Sequence, residues 1–347
     1  MSKFQCPMNL QVPMTKTRRC LWSIGIWSLV IPWTLGCGKW TFAEEPRPTV
    51  LVVLGAEGTE EYGRQFHAWS KRWGEAAQKG RAEFGEIGLA ESGDDSDRER
   101  LKKRLAELPK TGTEPLWLIL IGHGTFDGKL ARFNLRGPDF AAKELAEWLQ
   151  PIERPIAVIN CASSSGPFLN ELSSQNRIVI TATRSGHEYN FARFGDFLSA
   201  AINDPQADLD KDEQTSLLEA FLAASSRAQE FYSNDGRLVT EHALLDDNGD
   251  RLGTPADWFR GVRAVKSAKS GAAVDGLRAG QLQLVRSDNE VQLPAATRER
   301  RDQVEQELAQ LRLQRAQHSD DEYLALIEPL LVELAKLYES AASSSKK

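Results

Sequence analysis

Two apolar runs decide the fold: Leu116-Trp-Leu-Ile-Leu-Ile-Gly122, followed by His123-Gly124, and Pro155-Ile-Ala-Val-Ile-Asn160, followed by Cys161. Both runs are short and rich in aliphatic residues, which is typical of buried strands in a parallel sheet. Because the carboxyl ends of parallel strands meet at one edge of a sheet, we expect the imidazole and the thiol at the same edge. A thiol beside an imidazole is the pair that a cysteine hydrolase needs, since the thiolate is the nucleophile.

Other strand and helix patterns alternate with these two runs. Apolar segments at 49–54 and 177–183 predict two more buried strands. Amphipathic segments at 60–79, 139–149 and 191–202 predict helices between the strands. The alternation predicts an α/β fold, with a mostly parallel sheet flanked by helices on both faces.

The carboxyl-terminal part of the chain has a different character. Residues 263–293 are rich in Ala, Gly and Ser, lack periodicity and predict an irregular linker. Residues 294–342 hold two charged amphipathic segments, which predict a helical hairpin or coiled-coil extension. Residues 343–347 are expected to be a disordered tail.

The amino end predicts export. Residues 1–43 resemble a secretory signal peptide, because cations precede the apolar stretch 21–35 and small residues lead to a cleavage point at Ala43. Leu35-Gly-Cys37 resembles a lipidation motif, so lipid anchoring at Cys37 and a retained anchor are the alternatives. The expected location is the periplasm, the cell envelope or the medium, with residues 44–262 forming the α/β domain.

The charge balance limits the partners. The net charge is −6, and after the predicted leader 38 Lys and Arg face 49 Asp and Glu. An acidic balance disfavours nucleic acid, since phosphate contacts need clustered cations. No segment after the leader has the apolar length of an integral membrane span. The expected partner is a peptide or protein substrate, and the helical tail is a candidate surface for self-association or protein docking.

The cysteine count singles out one thiol. Cys6, Cys20 and Cys37 lie in the predicted leader, and Cys161 is the remaining cysteine. An exported chain with one thiol forms no internal disulfide, so the thiol stays free, pairs with another molecule or serves in chemistry.

The proposed chemistry needs three parts. Cys161 would attack a carbonyl, and His123 would act as general base and later protonate the leaving group. The main-chain N–H groups of Gly124 and Cys161 are candidate oxyanion donors. No cofactor is required. The alternative interpretation is that Cys161 is a small buried hydrophobe and His123-Gly124 only a turn.

The two strand ends resemble those of clan CD cysteine peptidases, which include caspases, legumains and gingipains. The matching motifs are Ile121-Gly-His-Gly124 and Ile159-Asn-Cys-Ala162, and the resemblance covers residues 49–260. It implies a caspase-hemoglobinase fold, with His123 as general acid/base, Cys161 as nucleophile and Gly124 as an oxyanion donor.

The motifs also depart from both subfamilies. Caspases carry Gln-Ala-Cys-x-Gly, whereas Asn160 precedes the cysteine here and the next glycine is Gly166. Legumains place an acid after the cysteine, where this chain has Ala162. The resemblance therefore implies no residue preference at the cleavage site.

The segment after the fourth strand contains residues that resemble a legumain specificity pocket. Glu188, Tyr189 and Asp196 are the matching positions, and two acids there would favour a basic or amide side chain. The alternative is that Asp196 is a helix-start acid and Glu188 a solvated loop charge. His187 is a second candidate base.

An acidic loop resembles a calcium-binding loop, with carboxylates at its first, third, fifth and twelfth positions. These are Asp208, Asp210, Asp212 and Glu219. Glu213 stands where the sharp turn favours glycine, and residues 216–219 also form a capping box that would begin a helix. The calcium, if bound, is expected to be structural.

The sequence thus predicts an exported cysteine endopeptidase with a His123–Cys161 dyad. Two alternatives remain open. One is a catalytically silent caspase-like module that binds partners, and the other is a cysteine hydrolase that acts on a nonpeptide amide or ester.

Overall fold

The computed structural model of the chain describes residues 47–89, 95–266 and 273–344, with side chains as far as residue 339. The predicted leader at 1–43 lies outside the described residues, as does the end of the predicted tail at 345–347.

The strands of the described residues form a seven-stranded sheet, a three-stranded sheet and a two-stranded sheet. The large sheet contains β1 (Thr49–Leu54), β2 (Glu83–Ile87), β3 (Leu116–Ile121), β7 (Ile156–Asn160), β8 (Arg177–Thr181), β9 (Leu244–Asp246) and β10 (Thr254–Pro255). A three-stranded sheet contains β4 (Gly124–Phe126), β5 (Ala131–Phe133) and β6 (Phe140–Ala141). Two further short strands, β11 (Phe259–Arg260) and β12 (Arg263–Ala264), pair with each other.

Ten α-helices connect and extend the sheets within the described residues. They are α1 (Glu60–Lys79), α2 (Asp97–Glu107), α3 (Ala142–Leu149), α4 (Gly166–Leu172), α5 (Phe194–Ala201), α6 (Leu217–Asn234), α7 (Leu277–Gly280), α8 (Asp288–Gln292), α9 (Ala295–Leu313) and α10 (Asp320–Ser344).

The large sheet has the strand order β10-β9-β8-β7-β3-β1-β2. Strands β8, β7, β3, β1 and β2 run parallel, whereas β9 and β10 are antiparallel to their neighbours. Residues 116–121 are all buried, because their side chains alternate between two cores, one on each face of the sheet. The predicted α/β fold class is confirmed.

Each core is closed by a different set of helices. Helices α1, α5 and α6 cover one face, where Trp69, Trp73 and Phe221 are buried. Helices α2, α3 and α4 cover the other face, with Leu105 and Phe168 in its core. We call the first face the α1 face, because the side chains of the candidate site lie on it.

Two helices begin later than the sequence indicates. The helix expected from residue 139 begins at Ala142, since Phe140–Ala141 pairs with β5 as a strand. The helix expected from residue 191 begins at Phe194, where Glu241 from a distant segment accepts the first main-chain N–H groups. Contacts with other segments set the first residue of both helices, so the local sequence pattern does not predict it.

The carboxyl-terminal helices α9 and α10 pack against each other as a hairpin, in agreement with the predicted extension. Helix α10 extends to Ser344, past the predicted start of the tail at residue 343. The segment 263–293, predicted as an irregular linker, contains the short helices α7 and α8. Among the described residues, no helix is long and apolar enough to cross a membrane.

Candidate active site

The two predicted catalytic side chains lie at the ends of neighbouring strands, on the same face of the sheet. Strands β3 and β7 pair with Leu120 opposite Asn160, and the Cys161 N–H donates to the Leu120 carbonyl at 2.9 Å. Cys161 belongs to the core of the α1 face. The His123 ring contacts Phe66 of that core, with 5.3 Å between ring centroids. The fold therefore brings both residues to one edge and one face.

The His123 imidazole is half-buried among aromatic rings. Its centroid lies 5.0 Å from that of Tyr62 and 5.9 Å from that of Phe191. Its Nε2 lies 3.3 Å from the Glu57 carbonyl oxygen. Because a carbonyl only accepts, Nε2 carries the proton of the neutral ring and Nδ1 is the basic nitrogen. Burial lowers the pKa of His123 below its usual value of 6.5, and the hydrogen bond to Glu57 opposes this shift.

The Cys161 thiol is sealed. The residue is 1% exposed and is the only cysteine among the described residues. A Cβ built on Gly195 would lie 2.7 Å from the Cys161 Cβ and 3.0 Å from its Sγ, so the main chain of α5 rests on the thiol. Burial raises the pKa of the Cys161 thiol, and the charge of Glu241 raises it further. In this conformation the thiolate is disfavoured.

The loops that follow the two strands contact each other at Gly124. A Cβ at this position would lie 2.2 Å from the Ser163 carbonyl oxygen, so this close approach requires glycine. The Gly124 N–H donates to the Ser163 Oγ at 3.4 Å, whereas the Cys161 N–H donates within the sheet. Both predicted oxyanion donors thus have partners inside the protein, and neither points into an open cleft here.

Asp196, predicted as a pocket acid, lies between two helices. Its carboxylate pairs with the Arg72 guanidinium at 2.6 Å, and Arg72 also donates to the Asp196 carbonyl and the Ser199 hydroxyl. This ion pair joins α1 to α5. Asp196 therefore lies near the start of a helix, where the alternative interpretation of the sequence places it. Its charge is paired with that of Arg72.

Glu188 and Tyr189, the other predicted pocket residues, have separate partners. The Glu188 carboxylate accepts from His242 Nδ1 at 2.7 Å, and its main-chain carbonyl accepts the Ser164 N–H. Tyr189 is 58% exposed, and its hydroxyl lies 2.6 Å from His187 Nδ1. Glu188 and Tyr189 therefore bind His242 and His187, whereas Asp196 binds Arg72.

Three of the four predicted calcium ligands form a cluster. One carboxylate oxygen from each of Asp208, Asp210 and Asp212 lies within 4.8 Å of the others. Burial and the neighbouring carboxylates raise the pKa of Asp210 to about 6. Glu219 is outside the cluster, because its two oxygens accept N–H groups of Leu209, Asp210 and Ser216 and the Ser216 hydroxyl. Its role here is the capping box of α6.

Sequence reasoning missed two residues that shape the site. Phe191 contacts the His123 ring, and Glu241 lies 5% exposed beside the start of α5. The predicted helix 191–202 includes Phe191, whereas this residue precedes α5 and its ring lies against His123. Glu241 lies 80 residues after Cys161 in a stretch with no periodic pattern, so no signal in the sequence points to it.

Comparisons with known proteins give structural likeness alone. The sequence matches no family model, and a search of curated proteins found no match. The Drosophila initiator caspase Dronc is 14% identical over 59% of this chain and 81% of its own, with a TM-score of 0.40. Caspase-1 from Spodoptera frugiperda is 9% identical over 58% of this chain and 86% of its own, with a TM-score of 0.38.

Proposed function

We propose that the protein is a cysteine peptidase whose nucleophile is Cys161 and whose general acid/base is His123. One observation carries the proposal: the two side chains end adjacent parallel strands and lie on the same face of the sheet. An imidazole and a thiol far apart in sequence reach this arrangement only through the fold. The carboxyl edge of a parallel sheet is also where ligands bind in such folds.

The chemistry follows from the orientation of His123. With Nε2 held by the Glu57 carbonyl, Nδ1 would take the thiol proton as Cys161 attacks the peptide carbonyl. The C–N bond would then break as the imidazolium returns that proton to the leaving amine. Water, activated by the same imidazole, would hydrolyse the thioester and regenerate the thiol. The lowered pKa of His123 keeps the ring neutral, and therefore basic, at neutral pH.

The loop after Cys161 carries features that a purely structural loop has little reason to keep. Ser164 has a left-handed backbone with φ of 54°, which is unfavourable for a residue other than glycine. The Ser164 hydroxyl and the Asn160 Nδ2 are buried without a hydrogen-bond partner among the described residues. Strain and unpaired polar groups beside a thiol support a functional role for this strand end.

A second candidate is a silent module of the same fold that binds partners. The sealed state of Cys161 favours it, since a thiol that is 1% exposed cannot reach a substrate without a conformational change. A hydrolase that acts on a nonpeptide amide or ester is the third reading, because the same dyad attacks either carbonyl.

Labelling and hydrolysis separate these functions. A chloromethyl ketone peptide should modify Cys161, as read by peptide mass spectrometry, and His123→Ala should slow the modification. A matched control is His318→Ala, in the turn between α9 and α10. A panel of reporter peptides with Arg, Lys, Asn or Asp before the scissile bond, together with simple amides and esters, then identifies the substrate class. Labelling that does not depend on His123, with no hydrolysis of any reporter, supports the silent module.

We propose that the chain is exported. Secretion of a tagged full-length chain, with the size of the mature form, tests this proposal.

We also propose a structural calcium ion at the Asp208, Asp210 and Asp212 cluster. To test it, thermal unfolding is measured with calcium, with magnesium and with a chelator. Calcium should raise the midpoint in the natural chain but not in Asp210→Asn, and equal midpoints in all conditions refute the site.

The helical hairpin offers a surface for self-association. Leu324, Leu331 and Tyr338 are 59%, 44% and 50% exposed and follow one another at seven-residue intervals along α10. Seven-residue spacing is that of a coiled-coil seam. Light scattering should show an oligomer that Leu331→Asp dissociates, whereas a monomer at all concentrations contradicts this surface.

A further inference from the structure

The start of α5 covers the candidate nucleophile. Gly195 lies so close to Cys161 that an added methyl group would collide with the Cβ and the sulfur, and the Trp69 ring lies 2.8 Å from the same point. Residues 161–166 are all buried. No peptide can approach the sulfur while this turn of helix is in place.

A single buried carboxylate holds the turn. Glu241 Oε1 accepts the Arg193 N–H at 2.9 Å, and its Oε2 accepts the Phe194 N–H at 2.9 Å. These are the first N–H groups of α5, which has no cap of its own. The Tyr232 hydroxyl of α6 donates to Oε1 at 3.0 Å and fixes the carboxylate in turn. Glu241 therefore caps α5 from a segment 47 residues away.

The neighbouring residue holds the other end of the same loop. The His242 N–H and its Nδ1 bind the Glu188 carboxylate, and the Glu188 carbonyl accepts the Ser164 N–H from the loop after the thiol. Residues 188–195 are thus tied at both ends to residues 241–242. Between these ties, Phe191 lies against the His123 ring.

We propose that residues 188–195 form a latch that closes the site, held shut by Glu241, and that Cys161 reacts only when the first turn of α5 moves away. The inference rests on the proposed function for its biological meaning, since opening would admit a substrate to the dyad. Its physical content is separate: a carboxylate far from the thiol in sequence controls access to the thiol.

The test is the rate at which iodoacetamide labels Cys161 in the full-length chain, followed by peptide mass spectrometry. Glu241→Gln leaves one acceptor oxygen for the two main-chain N–H groups, and the weakened cap should raise the rate about tenfold, within the range expected for a lost helix cap. Hydrogen exchange of residues 191–198 should quicken in the same variant. The matched control is Glu230→Gln, an exposed acid on α6, which should change neither.

A second variant separates a local latch from general loosening. Leu105→Ala removes a fully buried side chain on the opposite face of the sheet. If Leu105→Ala speeds labelling as much as Glu241→Gln at equal loss of unfolding free energy in urea, the latch is overturned. Faster labelling without faster exchange of 191–198 also overturns it, since only the thiol electrostatics would have changed.

The dyad and the latch can fail independently. Glu241→Gln should accelerate labelling in a His123→Ala background as well, because opening does not need the imidazole. If His123→Ala alone leaves the labelling rate unchanged while the Glu241 effect persists, the proposed function fails and the latch stands. If Glu241→Gln has no effect in either background, the latch fails.

Discussion

The loops after β3 and β7 follow neighbouring strands, yet they differ in exposure. From His123 to Gly128 every residue is partly or fully exposed, whereas from Cys161 to Gly166 every residue is buried. The imidazole therefore has one side open while the sulfur is sealed under α5. The difference suggests that the base is ready at all times and that access to the nucleophile is the controlled step.

The largest expected effect is on kcat/KM, from a change at the partly exposed His123. His123→Ala should lower kcat/KM for the best reporter peptide by about 10²- to 10⁴-fold, the usual contribution of a general acid/base. The thermal midpoint should change little, because the ring is half-exposed. If His123→Ala changes the thermal midpoint but not kcat/KM, His123 is a packing residue and not the base.

The buried Cys161 can be probed by adding a side chain that packs against it. Gly195→Ala places a methyl group against Cys161 and should destabilise the protein by about 1–3 kcal/mol, as overpacking of a core does. The loss should be smaller in a Cys161→Gly background, where the clashing Cβ and Sγ of Cys161 are absent and the Trp69 ring remains. Urea unfolding of the two single variants and the double variant measures this coupling. Additive free energies would show that α5 does not press on the thiol.

The frame of the site was predictable from sequence, because it depends on local patterns. The runs 116–122 and 155–160 read as buried strands, and parallel pairing then placed His123 and Cys161 at one edge. Short apolar runs and the rule for parallel sheets predict a shared edge. The adjacency of β3 and β7 comes from the fold.

The state of the site was not predictable, because contacts between distant segments decide it. The sequence pattern predicts Glu188 and Asp196 as pocket acids, but Glu188 hydrogen-bonds His242 and Asp196 pairs with Arg72, both from other segments. The sequence pattern predicts Glu219 as a calcium ligand, but its Oε2 accepts from Ser216 in the capping box and its Oε1 accepts the Leu209 and Asp210 N–H groups. The sequence shows where a carboxylate lies along the chain, and only the fold shows which donors bind it.

A smaller effect is expected at the contact between the two loops. The Ser163 hydroxyl donates to the Gly124 carbonyl and accepts its N–H, both at 3.4 Å. Ser163→Ala should lower the free energy of unfolding by about 0.5 kcal/mol, the low end for a hydrogen bond, since both contacts are long. Ser233→Ala, an exposed serine on α6, is the control. A loss beyond 2 kcal/mol, far above the ~0.5–1.5 kcal/mol of one such bond, would mean that this contact holds the two loops together.

The smallest expected effect concerns the protonation of His123. Burial among Tyr62, Phe66 and Phe191 lowers the pKa of His123, so the ring should stay neutral as the pH falls to 6.5 and gain its proton only below that value. Labelling of Cys161 should therefore lose its His123-dependent part only below pH 6.5. Tyr62→Ala admits water to the ring and should move the midpoint of the His123 NMR titration upward, toward 6.5. Tyr323→Ala, on the helical hairpin, should leave the midpoint unchanged. A natural midpoint already at 6.5 would mean that the aromatic rings do not desolvate the imidazole, and that the two strand ends differ only in how deeply the sulfur is buried.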